Sequence, residues 1–75
     1  MVRYQVVPSN GYWAVLLART GYETVEVSTH WLKEAAINDG RNRAKRDRCE
    51  LTIHGLDGTI QESWSYGNDP YPPKG

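Results

Sequence analysis

Phenylalanine is absent from this chain of 75 residues, and methionine and cysteine occur once each. A single cysteine, Cys49, cannot close an intrachain disulfide, so a reducing, cytoplasmic setting is the simplest expectation. An excess of one charge is missing too: nine Lys and Arg balance nine Asp and Glu. Bulk attraction to nucleic acid or to an anionic membrane is therefore not what the composition offers. No apolar run is long enough to span a bilayer, and the opening "MVRYQVVPSNG" has no signal-peptide core. The expectation is a soluble protein with no membrane partner.

Three Trp and five Tyr supply the bulk that Phe does not. The length suits one domain, and a domain this small buries only about 60% of the surface its unfolded chain exposes. Each aromatic can bury roughly 150–250 Å², so some of the eight are expected at the surface.

Period-two patterning predicts strands at "RYQVVP" and "YWAVLLA", joined at Asn10-Gly11, a pair that tolerates positive φ. A third strand, polar on one side, is expected around Thr24–Val27. A helix is expected over about residues 30–47, with Ser28 or Thr29 as its cap. On a helical wheel Ala36, Ile37, Gly40 and Ala44 form one small-sided stripe, which predicts close approach to a sheet near Gly40. Asp39 and Arg43 are placed for an i,i+4 pair. "CELTIHG" and "TIQESWSY" follow as strands around the turn at Asp57-Gly58, with Cys49, Leu51 and Ile53 inward and Ile60 sharing a face with Trp64. The fold class is α+β: an antiparallel sheet of four to five strands with one helix on one face, in the order β-β-(β)-α-β-β. Residues 1–66 form the domain. Residues 67–75 form a Pro/Gly-rich tail whose first part is expected to dock back, through "SYGNDP".

Chemistry-bearing constellations are sparse. Cys49, His54 and Asp57 lie close in sequence, but Cys49 and His54 fall on opposite faces of one strand, so Cys49 reads as a small buried hydrophobe and His54 as a turn residue bonding the hairpin. No catalytic residues are assigned. The two His and one Cys lack zinc-ligand spacing, and no phosphate-cradling glycine loop is present. No cofactor or small-molecule substrate is expected.

Two features remain. "RNRAKRDR" holds five of the nine basic residues; on the wheel Arg41, Lys45 and Arg48 line one edge while Arg43 and Arg46 point elsewhere. Cations at a helix C-terminus are expected on dipole grounds, and the same edge could contact phosphates. The aromatics at turns and ends, Tyr22, Trp31, Tyr66 and Tyr71, are of the type that anchors protein interfaces. The leading expectation is a non-enzymatic module that engages a protein partner or a second copy of itself, the helix cations forming a rim. A regulator or inhibitor of a larger assembly fits the size. The alternative is nucleic-acid binding through Arg41, Lys45 and Arg48.

The hairpin "IHGLDGTI" followed by "SYGNDPYPP" resembles the C-terminal signature of a small bacterial family, DUF2188. The opening "YQVVPSNGYWAV" and the helix "KEAAINDGRNRAK" are similar to that family as well. The resemblance implies the same α+β fold and makes the tail part of the domain's own signature. It brings no activity and no catalytic residues.

Overall fold

Asn10 and Gly11 both adopt positive φ, 50° and 90°, the geometry of a two-residue hairpin turn whose twist matches its strands. They join β1 (Val2–Ser9) to β2 (Tyr12–Arg19), with Val6 opposite Val15 and Tyr4 opposite Leu17. The computed structural model describes residues 1–67. After β2 the chain forms β3 (Val25–His30), α1 (Lys33–Asp47), β4 (Glu50–His54) and β5 (Ile60–Ser65). The α+β class and the β-β-β-α-β-β order hold.

The sheet runs β3-β2-β1-β4-β5. Three of its neighbouring pairs are antiparallel, but the central β1–β4 pair is parallel, from Arg3–Glu50 to Val6–Ile53. A helical connection makes this possible, because α1 carries the chain back along the sheet before β4 begins.

One face of the sheet lies under α1. Ala36, Gly40 and Ala44 are its buried positions. A Cβ built on Gly40 would stand 3.0 Å from Leu51 Cδ1 and 3.3 Å from Val6 Cγ2. The missing side chain is thus what lets helix and sheet meet closely. The core beneath consists of Tyr4, Val6, Val15, Cys49, Leu51 and Ile53 with Ala36 and Ala44. Full burial of each Val, Leu or Ile contributes roughly 1.5–3 kcal/mol, so these few side chains carry most of the hydrophobic stabilisation. Trp13 and Tyr66 pack partly buried against this cluster.

Three local expectations are corrected. The helix begins at Lys33, with Leu32 at the N-cap position and no side-chain cap. Ser28 and Thr29 cannot serve there because they pair with Val15 and Ala14 in β3, a strand that continues to His30. The Ser28 hydroxyl is instead donated to Asp39 on α1, at 2.6 Å. Ile60 does not share a face with Trp64. A register shift next to His54 sets Ile60 opposite His54, while Trp64 stands opposite Leu51.

The helix ends at Arg48, which takes the left-handed conformation and bonds back to Ala44 and Lys45. In the β4–β5 turn, Asp57 accepts the Thr59 N–H and hydroxyl, and these bonds hold its carboxyl below the usual value. His54 Nδ1 donates to the Gly58 carbonyl at 3.0 Å, the hairpin role expected of it.

Candidate interaction surface

The helix cations divide as the wheel predicts. On the β3 side of α1, Arg43 Nε lies 2.8 Å from Asp39. At the last turn, Arg46 pairs with Asp47 at 2.9 Å. That pairing raises the Arg46 pKa. Arg41, Lys45 and Arg48 make no ion pair among the described residues. On the helical wheel they lie on the opposite flank. Lys33 marks one end of that flank, donating to Gln61 of β5 at 2.5 Å. Lys45 marks the other, its ammonium 5.7 Å from the centre of the Tyr66 ring.

The body of α1 packs on β1, β2, β3 and β4 but not on β5. Every residue of β5 is consequently exposed. Trp64 points to the helix side yet keeps 47% exposure, and its indole N–H donates to Glu62 at 3.0 Å. Glu62, Trp64 and Tyr66 alternate along one face, with Lys45 of α1 alongside. Sequence patterning does not single out Trp64 or the β5 edge as candidates. The available signal is that "IQESWS" has no continuous apolar stripe on either face, which marks a strand outside the helix's cover.

The three aromatic candidates among the described residues do not form one patch. Tyr22 sits in the β2–β3 turn, 67% exposed, with the Arg19 guanidinium 4.3 Å from its ring centre. Trp31 follows the other end of β3 and is 82% exposed. With Tyr12, Glu26, Thr29 and His30 it lines a shallow concavity of about 440 Å³. Tyr66 lies across the sheet, half-buried, its N–H donated to the Cys49 carbonyl at 3.1 Å. Gly67 rests on Arg48 so closely that a Cβ would overlap the Arg48 carbonyl oxygen. The first two residues after Ser65 thus fold against the domain. Tyr71 and the rest of the tail lie outside the described residues.

A polar group ties β3 to α1. Ser28 Oγ is 3.1 Å from His30 Nε2, and Asp39 lies 3.6 Å from the same ring nitrogen. This is not the relay of a hydrolase: the serine proton is directed to the carboxylate, which orients no second imidazole nitrogen. Burial pushes the Asp39 carboxyl up, but hydrogen bonds from Ser28 and Arg43 outweigh it and hold it below the usual range. Cys49 is buried, and burial first, then the nearby carboxylates, raises its thiol pKa. Among the described residues no three His, Cys, Asp or Glu are grouped to hold a metal, and no helix is long and apolar enough to cross a membrane.

Over residues 1–67 the fold and surface define a small one-helix α+β domain whose outer β5 edge pairs with no other described strand. The chain belongs to DUF2188, a family described as uncharacterized protein conserved in bacteria, which it matches over residues 4–66. No curated protein and no solved structure matches it.

Proposed function

We propose that this domain is a non-enzymatic cytoplasmic binding module that engages protein through the β5 edge. The observation that carries the reading is a strand exposed along its whole length beside an aromatic and a basic flank. Unpaired strand edges add an extended segment through main-chain hydrogen bonds, and flanking side chains select it. Trp64 and Tyr66 supply the aromatic anchors, with Arg41 and Lys45 as the rim. Tyr22 and Trp31 stand at the two ends of the opposite edge and belong to no common surface with them.

A pull-down compares the wild-type domain with Ser63→Pro, in nuclease-treated lysate. Recovery of a defined protein by the wild type alone supports edge binding. Equal recovery by both overturns it.

Arg41, Lys45 and Arg48 favour a second reading, nucleic-acid binding, because, unlike Arg43 and Arg46, they make no carboxylate pair among the described residues. Phosphate contacts would make the affinity fall steeply with salt. The test is binding to a DNA and RNA panel at low salt. No binding there sinks the reading, as does a triple Arg41→Glu, Lys45→Glu, Arg48→Glu protein that binds as well as wild type.

A further inference from the structure

We infer that the occupant of the β5 edge is a second copy of this chain, paired antiparallel about a two-fold axis at Trp64. The inference rests on the edge-binding reading above and names its partner.

The two edges of the sheet differ. β3 is guarded: the ladder shifts at Val15/Leu16 beside it, α1 packs on it, and Ser28 fastens it to Asp39. Such features discourage a second strand from pairing. β5 has none of them along its centre. It contains no proline and no lysine, and its register shift lies at Ile60, next to the hairpin.

The backbone direction follows from one bond. Tyr66 donates its N–H to Cys49, so Tyr66, Trp64 and Glu62 turn their backbone groups toward β4. By strand alternation Ser63 and Ser65 turn theirs to the open edge. Two copies can satisfy these groups when Ser63 of one faces Ser65 of the other. Each such pair exchanges two hydrogen bonds, and the two-fold axis generates the pair twice.

That register sets Trp64 against Trp64 of the second copy, on the helix-side face. Indole side chains directly opposite in a non-hydrogen-bonded pair approach closely and stabilise a sheet. It also sets Glu62 opposite Tyr66 of the second copy, and Lys45 stands over that ring. The one acidic side chain of β5 therefore meets a cation that has no carboxylate partner among the described residues. A register one pair closer to the hairpin sets Glu62 opposite Trp64 and brings the two glutamates near each other. Charge complementarity selects the Trp64-centred pairing.

Sedimentation equilibrium of the purified full chain, from low micromolar to several hundred micromolar, reads the association. A monomer–dimer equilibrium is expected. Ser63→Pro, whose lost N–H faces outward and leaves the β4 ladder intact, is expected to weaken the dimer by at least about tenfold with an unchanged circular dichroism spectrum. Lys45→Glu and Glu62→Lys are each expected to weaken self-association by about tenfold. Mixing those two variants restores a dimer, because each then faces an opposite charge on the other. Four outcomes overturn the inference: a wild-type monomer throughout, a dimer indifferent to Ser63→Pro, charge variants that do not complement on mixing, and a monomer whose Ser63 and Ser65 amides resist hydrogen exchange. The last assigns the edge to the chain's own residues 68–75. A monomer that loses a recovered partner protein on Ser63→Pro leaves edge binding standing and removes only the second copy.

Discussion

The Tyr4 hydroxyl on β1 donates to Asp47 on the last turn of α1, at 2.5 Å. Tyr4 is 2% exposed, so its ring belongs to the core while its oxygen reaches the helix end. Burial first, then Asp47, raises the phenol pKa. The Arg46 and Tyr4 hydrogen bonds together hold the Asp47 carboxyl below its ordinary value.

Tyr4→Phe keeps the ring and removes this bond. Hydrogen bonds to charged groups are worth about 1.5–3 kcal/mol, and the partly exposed Asp47 regains water, so a loss of about 1 kcal/mol is expected. For a domain this size that lowers the melting temperature by about 4–8 °C. An unchanged melt would show that the helix end is held by packing alone.

Acid should destabilise the fold through Asp39 and Asp47. Both have folded-state pKa values below the ordinary carboxylate value. Their contribution is therefore complete above the unfolded value of about 3.9 and is lost as pH falls through the lower folded values. Urea midpoints measured from pH 6 to pH 2 should fall below about pH 4. The double Asp39→Asn, Asp47→Asn protein should be less stable at pH 6 and show a flatter acid limb. An equally steep limb would place the acid response on other carboxylates.

Gly40→Val tests the close approach of α1 to the sheet. Even a Cβ there comes within 3.0 Å of Leu51, which is fully buried. Overpacking of this kind costs about 1–3 kcal/mol, to be read from chemical denaturation. Gly40→Ala sets a gain of about 1 kcal/mol in helix propensity against the same contact, and should fall much nearer to wild type. A Gly40→Val protein as stable as wild type would mean that the helix can lift without loss.

Gly67→Ala tests the docking of the segment after β5. The new methyl would overlap a backbone oxygen of Arg48, which cannot swing aside as a side chain does. The expected result is faster hydrogen exchange at the Tyr66 amide, with the protection of β1 and β2 unchanged. Equal exchange at Tyr66 would refute the close contact.

Alternation and turn chemistry make much of this fold legible in the sequence. Asn10-Gly11 announces the first hairpin, and the small stripe through Gly40 announces a helix lying on a sheet. The split between Arg41, Lys45 and Arg48 and their paired neighbours also follows from the wheel. What local patterns miss depends on contacts distant in sequence. Ser28 has the chemistry of a cap, but its backbone is taken by β2 and its hydroxyl by Asp39, so the cap position passes to Leu32. Ile60 obeys alternation only if the ladder is unbroken, and a shift at the hairpin breaks it. The bareness of β5 depends on where α1 ends its cover, and its local trace is the lack of a continuous apolar stripe in "IQESWS". Each aromatic candidate stands out singly along the chain, and only the topology separates Tyr22 and Trp31 from Tyr66.

The central parallel pair also shapes how the chain reaches its fold. β1, β2 and β3 form a meander of local contacts, and β4 with β5 forms a hairpin of its own. Among the described strands, these two pieces pair along the seam from Arg3–Glu50 to Val6–Ile53. The partners at its first rung are 47 residues apart, so closing the seam carries the largest loop entropy in the sheet. The seam is also where Val6, Leu51 and Ile53 complete the core under α1. Loop-closure entropy alone would therefore make this seam, and with it the sealing of the interior, a late event in folding. Until that step is complete, the meander and the hairpin each hold half of an unburied core.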